Sequence, residues 1–417
     1  MVRSVRRLAA LVLVGGAASL PGRVPAPSAR EVIPNDPWFR NQLSFYFDGG
    51  PTSFRVSSTT TERRQVTMAP GISLDLPHAW AITTGSRSVV VAVLDDGFLY
   101  GHEDIAGNVW RNPGESGTDS AGLDKATNGR DDDGNGYVDD VVGYDFAFDD
   151  PDPDAYVFDG MDRSRIQPYQ HSIPVLGIIG ASGNNRTGVA GINWQVSLML
   201  LKIGAQGIPR GQADTLRAPR AARAIRYAVD NGARIINWSG FVSDTSAAHL
   251  AQLHQAVVHA RDHGVLLVTG AGNSGVDLDD DANCVYPQCF DEPNVIRVAE
   301  LEFDGTLVRY RAGDEWRGSN FGVRRVEVAA IGQNFSTNVT NGRSTYRLFG
   351  GTSGAGPVVA GVAALMLSVD STLRASDLRR LIMETATRLP ALAGKIVSGG
   401  TVNAYRAVLA ARAHRGR

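Results

Sequence analysis

From Ser88 onward the chain is built of short apolar runs that end in polar or glycine-rich loops. The first, SVVVAVLDDG (88–97), is β-branched and continuous, the pattern of a strand buried on both faces. Similar runs follow at 196–203, 233–239, 264–273, 294–300 and 325–332. Helical periodicity separates them. In RAARAIRYAVDNG (220–232), Ala221, Ala224, Ile225 and Ala228 fall on one face, with Gly232 as a stop. Further helices are predicted over 246–264, 356–369, 373–386 and 401–413. The segment 356–369, GPVVAGVAALMLSV, has no charge and is rich in small residues, so it reads as a buried helix packed closely. Strands alternating with helices over most of the chain predict an α/β fold: a mostly parallel central sheet, covered on both faces in three layers.

Composition adds limits to this picture. Hydrophobic residues make up 43% of the 417 and charged residues 20%, which suits a large globular core and not a disordered chain. Basic and acidic residues nearly balance, 41 against 43, so no electrostatic grip on nucleic acid is expected. At the N-terminus Arg3, Arg6 and Arg7 precede an apolar stretch from Leu8 to Leu20. Residues 1–29 therefore read as a secretory signal, too short for a stable membrane anchor, although a retained anchor or buried helix is the other reading. Residues 30–70 read as an N-terminal arm and 71–412 as the main domain. The two cysteines, Cys284 and Cys289, could close a small disulfide loop in an oxidising compartment or stay as thiols.

The candidate chemistry sits where apolar runs end. Asp95 closes the first run, Asn273 follows the 264–273 run, and Ser353 precedes the apolar helix in GGTSGAGP. His171 opens another apolar segment, HSIPVLGIIGA. Open α/β sheets place their sites outside the carboxyl ends of the strands, which is where these residues belong. A dinucleotide site is excluded, because VAVLDDGF lacks the glycine turn that cradles pyrophosphate.

These segments resemble the subtilisin-like serine proteases (subtilases, peptidase S8). VAVLDDGF (91–98) with HEDI (102–105) is similar to the family's aspartate region, HSIPVLG (171–177) to its histidine motif, GAGN (270–273) to its oxyanion segment and GTSGAGP (351–357) to its serine motif. PNDPWF, HAWAITTGS, AIRYAVDNGARIIN, GSNFG and SGGTVNAYRAV add family-like text between residues 34 and 408. The resemblance implies a subtilisin-like fold and an exported serine endopeptidase with no catalytic cofactor, acting on polypeptides through an acyl-enzyme. It implies Asp95, His171 and Ser353 as a triad, Asn273 as oxyanion donor, and Ser239, Gly240 and Phe241 as the peptide-binding side of a cleft strand in IINWSGF (235–241). Trp238 in that strand is expected in the core. A broad or apolar side-chain preference is expected.

Some positions depart from the family pattern. Pro174 replaces the second histidine of its motif, and Gly354 replaces a methionine, which is expected to loosen the packing behind Ser353. Those changes leave a second reading, a catalytically impaired subtilase-fold module that binds peptides or proteins. In the span before HAWAITTGS, the family's folding propeptide is not expected: either folding does not need one, or the start of the reading frame misleads. An acidic insertion occupies about 112–165. Within DDDGNGYVDD (131–140), Asp131, Asp133, Asn135, Tyr137 and Asp139 take the spacing of the first ligands of an EF-hand-like loop, with Gly136 at the turn. Val142 stands where that loop needs a carboxylate, so a structural Ca2+ site and a solvated acidic loop are both open.

Overall fold

The computed structural model describes residues 30–47, 49, 52–155, 171–204, 210–243 and 246–416. The signal expected over 1–29 and the end of the acidic insertion, from 156 on, lie outside the described residues.

In chain order, a two-stranded ribbon, β1 (Ser53–Arg55) and β2 (Arg63–Gln65), precedes helix α1 (Leu76–Trp80) and the long strand β3 (Gly85–Asp95). Then come β4 (Gly143–Asp145), α2 (Ser172–Gly180), β5 (Gln195–Lys202), α3 (Arg210–Asp230), β6 (Ile235–Trp238), α4 (Ala247–Asp262), β7 (Leu266–Gly270) and β8 (Val295–Leu301). Two hairpins, β9 (Arg309–Ala312) with β10 (Glu315–Gly318) and β12 (Asn334–Thr340) with β13 (Arg343–Phe349), flank β11 (Val328–Ile331). The chain ends with α5 (Thr352–Val369), α6 (Ala375–Thr385), β14 (Thr387–Arg388), β15 (Gly400–Thr401) and α7 (Ala404–Arg415).

Nine strands form the central sheet in the order β14-β15-β11-β8-β7-β6-β3-β5-β4, parallel except for the β14–β15 pair. Strand alternation explains the continuous apolar runs. Val91 and Val93 of β3 face the layer that holds α2, α5 and α7, while Ala92 and Leu94 face α3 and α4. Both faces are thus apolar and both are covered, as the three-layer expectation required.

Helix α5 is long and apolar enough to cross a membrane by length and composition, yet it is the central core helix, with 83% of that stretch buried. It packs against α2, α7 and the strands from β3 to β11. Trp238 is fully buried, as expected. The described residues from Glu31 onward form one compact unit, so the segment expected as an arm packs with the domain. Phe45 and Phe54 are buried in it, and Gln42 exchanges two hydrogen bonds with the Ala190 backbone, at 2.8 and 3.1 Å.

Candidate active site

Parallel topology brings the carboxyl ends of β3, β6 and β7 to one edge of the sheet. A cleft of about 420 Å³ opens there, lined among others by Asp95, His171, Ser239, Gly240, Phe241, Asn273 and Ser353. All seven residues expected to bind or react therefore share one cleft.

Asp95 is the last residue of β3 and is 4% exposed. His171 stands immediately before α2, and its Nδ1 donates to Asp95 Oδ2 at 2.8 Å, with Oδ1 at 3.0 Å. A carboxylate facing Nδ1 keeps the proton on that nitrogen, so in the neutral ring Nε2 carries the lone pair. The altered histidine motif does not move this contact. The helix begins at Ser172, which makes Pro174 its third residue, where a missing N–H breaks no helical bond. Ser172 Oγ donates to the Gly97 carbonyl at 2.5 Å. Thr337 Oγ1 and Ser336 Oγ donate to the carbonyls of Ile173 and Pro174, at 2.7 and 2.9 Å. The start of α2 is thus tied to both the β3 loop and β12.

Ser353 is the second residue of α5, after Gly351 in a positive-φ conformation (+85°). Its hydroxyl donates to the Ser239 carbonyl at 3.3 Å and not to His171, while Ser239 Oγ donates to the Ser353 carbonyl at 3.1 Å. A change of one staggered rotamer about Cα–Cβ redirects such a hydroxyl. Gly354 does not loosen the turn. A Cβ there would lie 2.1 Å from the Gly332 carbonyl oxygen, so backbone fills the space that a side chain would take. The Glu300 carboxylate accepts the Gly351 N–H at 2.8 Å and fixes the turn from beneath.

Asn273 follows β7. Its Oδ1 accepts the Thr352 N–H at 2.9 Å, which settles the orientation of the amide and leaves Nδ2 as the donor of a side chain that lines the cleft. Gly272, with φ of +104°, carries the chain past Asn320 and donates its N–H to Thr352 Oγ1 at 3.1 Å.

Two further residues of the cleft carry charge. Asp96 pairs with Arg217 of α3 at 3.0 Å. Burial works against a charged imidazole at His171, but the Asp95 carboxylate and then Asp96 outweigh it, and its pKa is raised. Arg217 pulls the other way. Burial raises the Asp96 carboxyl, with Arg217 opposing. Nothing in the sequence singles out Arg217, which lies in a polar stretch before the apolar helical pattern begins.

Cys284 and Cys289 are joined as a disulfide with Cα atoms 5.6 Å apart. Within the loop they close, Tyr286 and Val242 exchange backbone hydrogen bonds of 2.8 and 3.1 Å, so the disulfide loop backs the cleft strand.

The acidic insertion departs from the EF-hand expectation. Asp131 and Asp133 meet Glu115, each offering a carboxylate oxygen within 4.8 Å of the others. The Asp139 carboxylate turns instead to the Gly129 N–H, at 3.2 Å. The Asn135 amide nitrogen donates to Asp140 Oδ2 at 2.9 Å, and the Tyr137 ring packs against Tyr144, Phe146 and Tyr227. Among the described residues no helix–loop–helix frame surrounds this segment, so the ligand spacing of that motif does not bring its ninth position inward. Glu115 was not foreseen because it lies sixteen positions before Asp131 and outside the motif.

A profile of the subtilase family matches residues 86–404. Thermitase of Thermoactinomyces vulgaris is 30% identical over 338 residues, covering 80% of this chain and 93% of that protein. A thermophilic serine proteinase of Bacillus sp. (strain AK1) is 29% identical over 331 residues, covering 79% of this chain and 64% of the relative. Against subtilisin-like protease 1 of Plasmodium vivax the coverage of the relative is 46%, so the chain spans about half to two thirds of these longer proteins. Among solved structures, a protease from Pseudoalteromonas arctica aligns with a TM-score of 0.61 and 25% identity, covering 91% of this chain and 99% of that one. Fervidolysin from Fervidobacterium pennivorans shares the fold, with a TM-score of 0.57 at 22% identity, over 86% of this chain and 50% of that one.

The charges around His171 make a prediction that needs no substrate. Asp95 and Asp96 approach the ring from the end of β3, and Arg217 from α3. Removing a carboxylate destabilises the imidazolium, so Asp96→Asn lowers the His171 pKa. Removing the guanidinium leaves Asp96 unopposed, so Arg217→Gln raises it. Titration of the His171 ring by heteronuclear NMR reads both shifts; equal pKa values in the two variants would contradict this electrostatic balance.

Proposed function

Because the chain belongs to the subtilase family, we propose that it is an exported serine endopeptidase that cleaves polypeptides through an acyl-enzyme. The observation that carries this reading is the Asp95–His171 contact, set in one cleft with Ser353 and Asn273.

An extended substrate would lie along Ser239–Phe241 and add a strand to that edge, with the half-exposed Phe241 ring flanking it. Ser353 Oγ, turned from the Ser239 carbonyl toward His171, attacks the scissile carbonyl carbon while Nε2 takes its proton. Asp95 holds the ring in the correct tautomer and stabilises its charged form. The carbonyl oxygen becomes an oxyanion, met by Asn273 Nδ2 and the Ser353 N–H. The tetrahedral intermediate collapses, the C–N bond breaks, and the imidazolium returns its proton to the leaving amine. Water, activated by the same Nε2, then attacks the ester and releases the acid.

An inactive peptide-binding module would require Pro174 and Gly354 to displace the histidine or the serine. The start of α2 at Ser172 and the close packing of Gly354 on Gly332 count against that. Export is supported by the basic and apolar N-terminal sequence, by the disulfide, and by an extracellular relative. That relative, the halolysin-like extracellular serine protease Nep of Natrialba magadii, is 33% identical over 308 residues.

A structural Ca2+ held by Glu115, Asp131 and Asp133 belongs to the same proposal. Glu115 is fully buried, and its Oε2 has no hydrogen-bond partner among the described residues. Burial, then the nearby Asp140, Asp133 and Asp132 carboxylates, raise its pKa, with the Asp132 N–H opposing. Oxygen ligands of this kind suit a hard divalent cation, which would offset most of the charge of the three carboxylates.

A fluorophosphonate probe tests the enzyme reading. It labels the wild type and leaves a folded Ser353→Ala variant unlabelled; a folded wild type that stays unlabelled rejects the mechanism. For the cation, a chelator lowers the Tm of the wild type but has a much smaller effect on Glu115→Gln. A wild-type Tm that chelation leaves unchanged counts against the site.

A further inference from the structure

Every residue of β8 is buried, yet two of its seven side chains are ionisable. Arg297 is paired with the buried Glu327 at 2.9 Å. Glu300 is 4% exposed, and among the described residues no cation pairs with it. Burial pushes its pKa up to about 7. The Gly351 N–H opposes that rise, and the nearby Glu302 carboxylate adds to it. A buried carboxylate without a cation is costly to keep, so its one strong contact asks for a reason. That contact is the Gly351 N–H, accepted by Oε1 at 2.8 Å, two residues before Ser353.

Glycines make the room for it. A Cβ on Gly332, which follows β11, would lie 2.5 Å from Glu300 Oε1 and 2.6 Å from the Gly351 carbonyl oxygen. The carboxylate thus reaches the turn through space that a side chain would fill. Three successive N–H groups open that turn. The first, of Gly351, goes to Glu300, and the second, of Thr352, goes to Asn273 Oδ1 at 2.9 Å. The third, of Ser353, is the backbone donor that acyl transfer needs for its oxyanion. Gly351, at φ of +85°, has wide backbone freedom, so the direction of its peptide groups depends on such outside ties. The two acceptors come from β8 and from the end of β7, neighbouring strands of the rigid sheet. Glu300 itself does not line the cleft.

Resting on the peptidase reading above, we propose that Glu300 is a positioning residue for the nucleophile: its side-chain oxygen, by holding the Gly351 N–H, sets the turn that presents the Ser353 hydroxyl and N–H to the reacting carbonyl. It touches neither substrate nor reacting atoms and acts through the backbone of residues 351–353. The acceptor is what matters. An amide oxygen in the same place holds the same N–H, whereas a methyl group leaves it unmet and frees the glycine. The loss falls on the bond-making step and not on peptide binding, because the cleft strand Ser239–Phe241 does not depend on this contact.

The test compares the wild type with Glu300→Ala and Glu300→Gln, each held well below its own Tm. Two readouts are used: the rate of fluorophosphonate labelling at Ser353, and kcat and KM for a peptide that the wild type cuts. In Glu300→Ala the labelling rate and kcat both fall by about tenfold, the size of one lost hydrogen bond, while KM moves less than about twofold. Glu300→Gln restores both rates to within about threefold of the wild type, which a general loss of packing would not allow. A Glu300→Ala protein that labels and turns over at the wild-type rate overturns the proposal. So does a Glu300→Gln protein as slow as Glu300→Ala, or a change confined to KM. If the folded wild type itself neither labels nor cuts, the peptidase reading falls, and this inference with it; a wild type that labels while Glu300→Ala matches it sinks this inference alone.

Discussion

The contact between Asp95 and His171 is the constraint on which the site depends. The two residues are 76 positions apart, one closing a strand and the other preceding a helix. They meet because a parallel sheet delivers its strand ends to one edge, and because α2 starts at that edge. The buried sheet supplies rigidity. Ser172 bonded to Gly97, and Ser336 and Thr337 bonded to the first turn of α2, fix where the imidazole stands. The polar hairpin β12–β13 thus has a positional role, holding the helix that carries the ring.

The electrostatics follow the same edge. Two adjacent aspartates close β3, and each has a cationic or proton-donating partner: His171 for Asp95, Arg217 for Asp96. Without Arg217, a second carboxylate so near the ring would bias it toward the protonated form and weaken it as a base. Elsewhere in the cleft the polar groups are neutral: Asn273 and the glycine-rich turns offer an amide and backbone N–H groups.

Much of the fold was legible because burial on both faces of a parallel sheet leaves an unmistakable apolar run. Each such run became a strand, and the uncharged segment after Ser353 became the core helix, begun at Thr352 and not at Gly356. The hairpin over 334–349 was not legible, since its Asn, Ser and Thr residues carry no clear alternation of apolar and polar positions. Helix α3 begins about ten residues before its apolar pattern does, because its first turns are polar. In the site, Asp95, Asn273 and Ser353 were visible at the ends of strands and the start of a helix, and the family resemblance joined His171 to them. Arg217 and Glu115 were not visible, since ordinary polar residues are singled out only by what the fold places beside them. The acidic loop shows the reverse error: ligand spacing taken from another scaffold pointed to Asp139, whereas the chain turns that carboxylate to the Gly129 N–H.

The central claim is that Asp95, His171 and Ser353 act together to form and break an ester. Rapid mixing with an activated ester such as p-nitrophenyl acetate measures this most directly. The account predicts a burst of one p-nitrophenolate per molecule followed by slower turnover, with Asp95→Asn slowing the burst by about 10⁴, the cost of a wrong imidazole tautomer in such triads. A folded wild-type protein that shows no burst, or an Asp95→Asn variant that bursts at the wild-type rate, would contradict it.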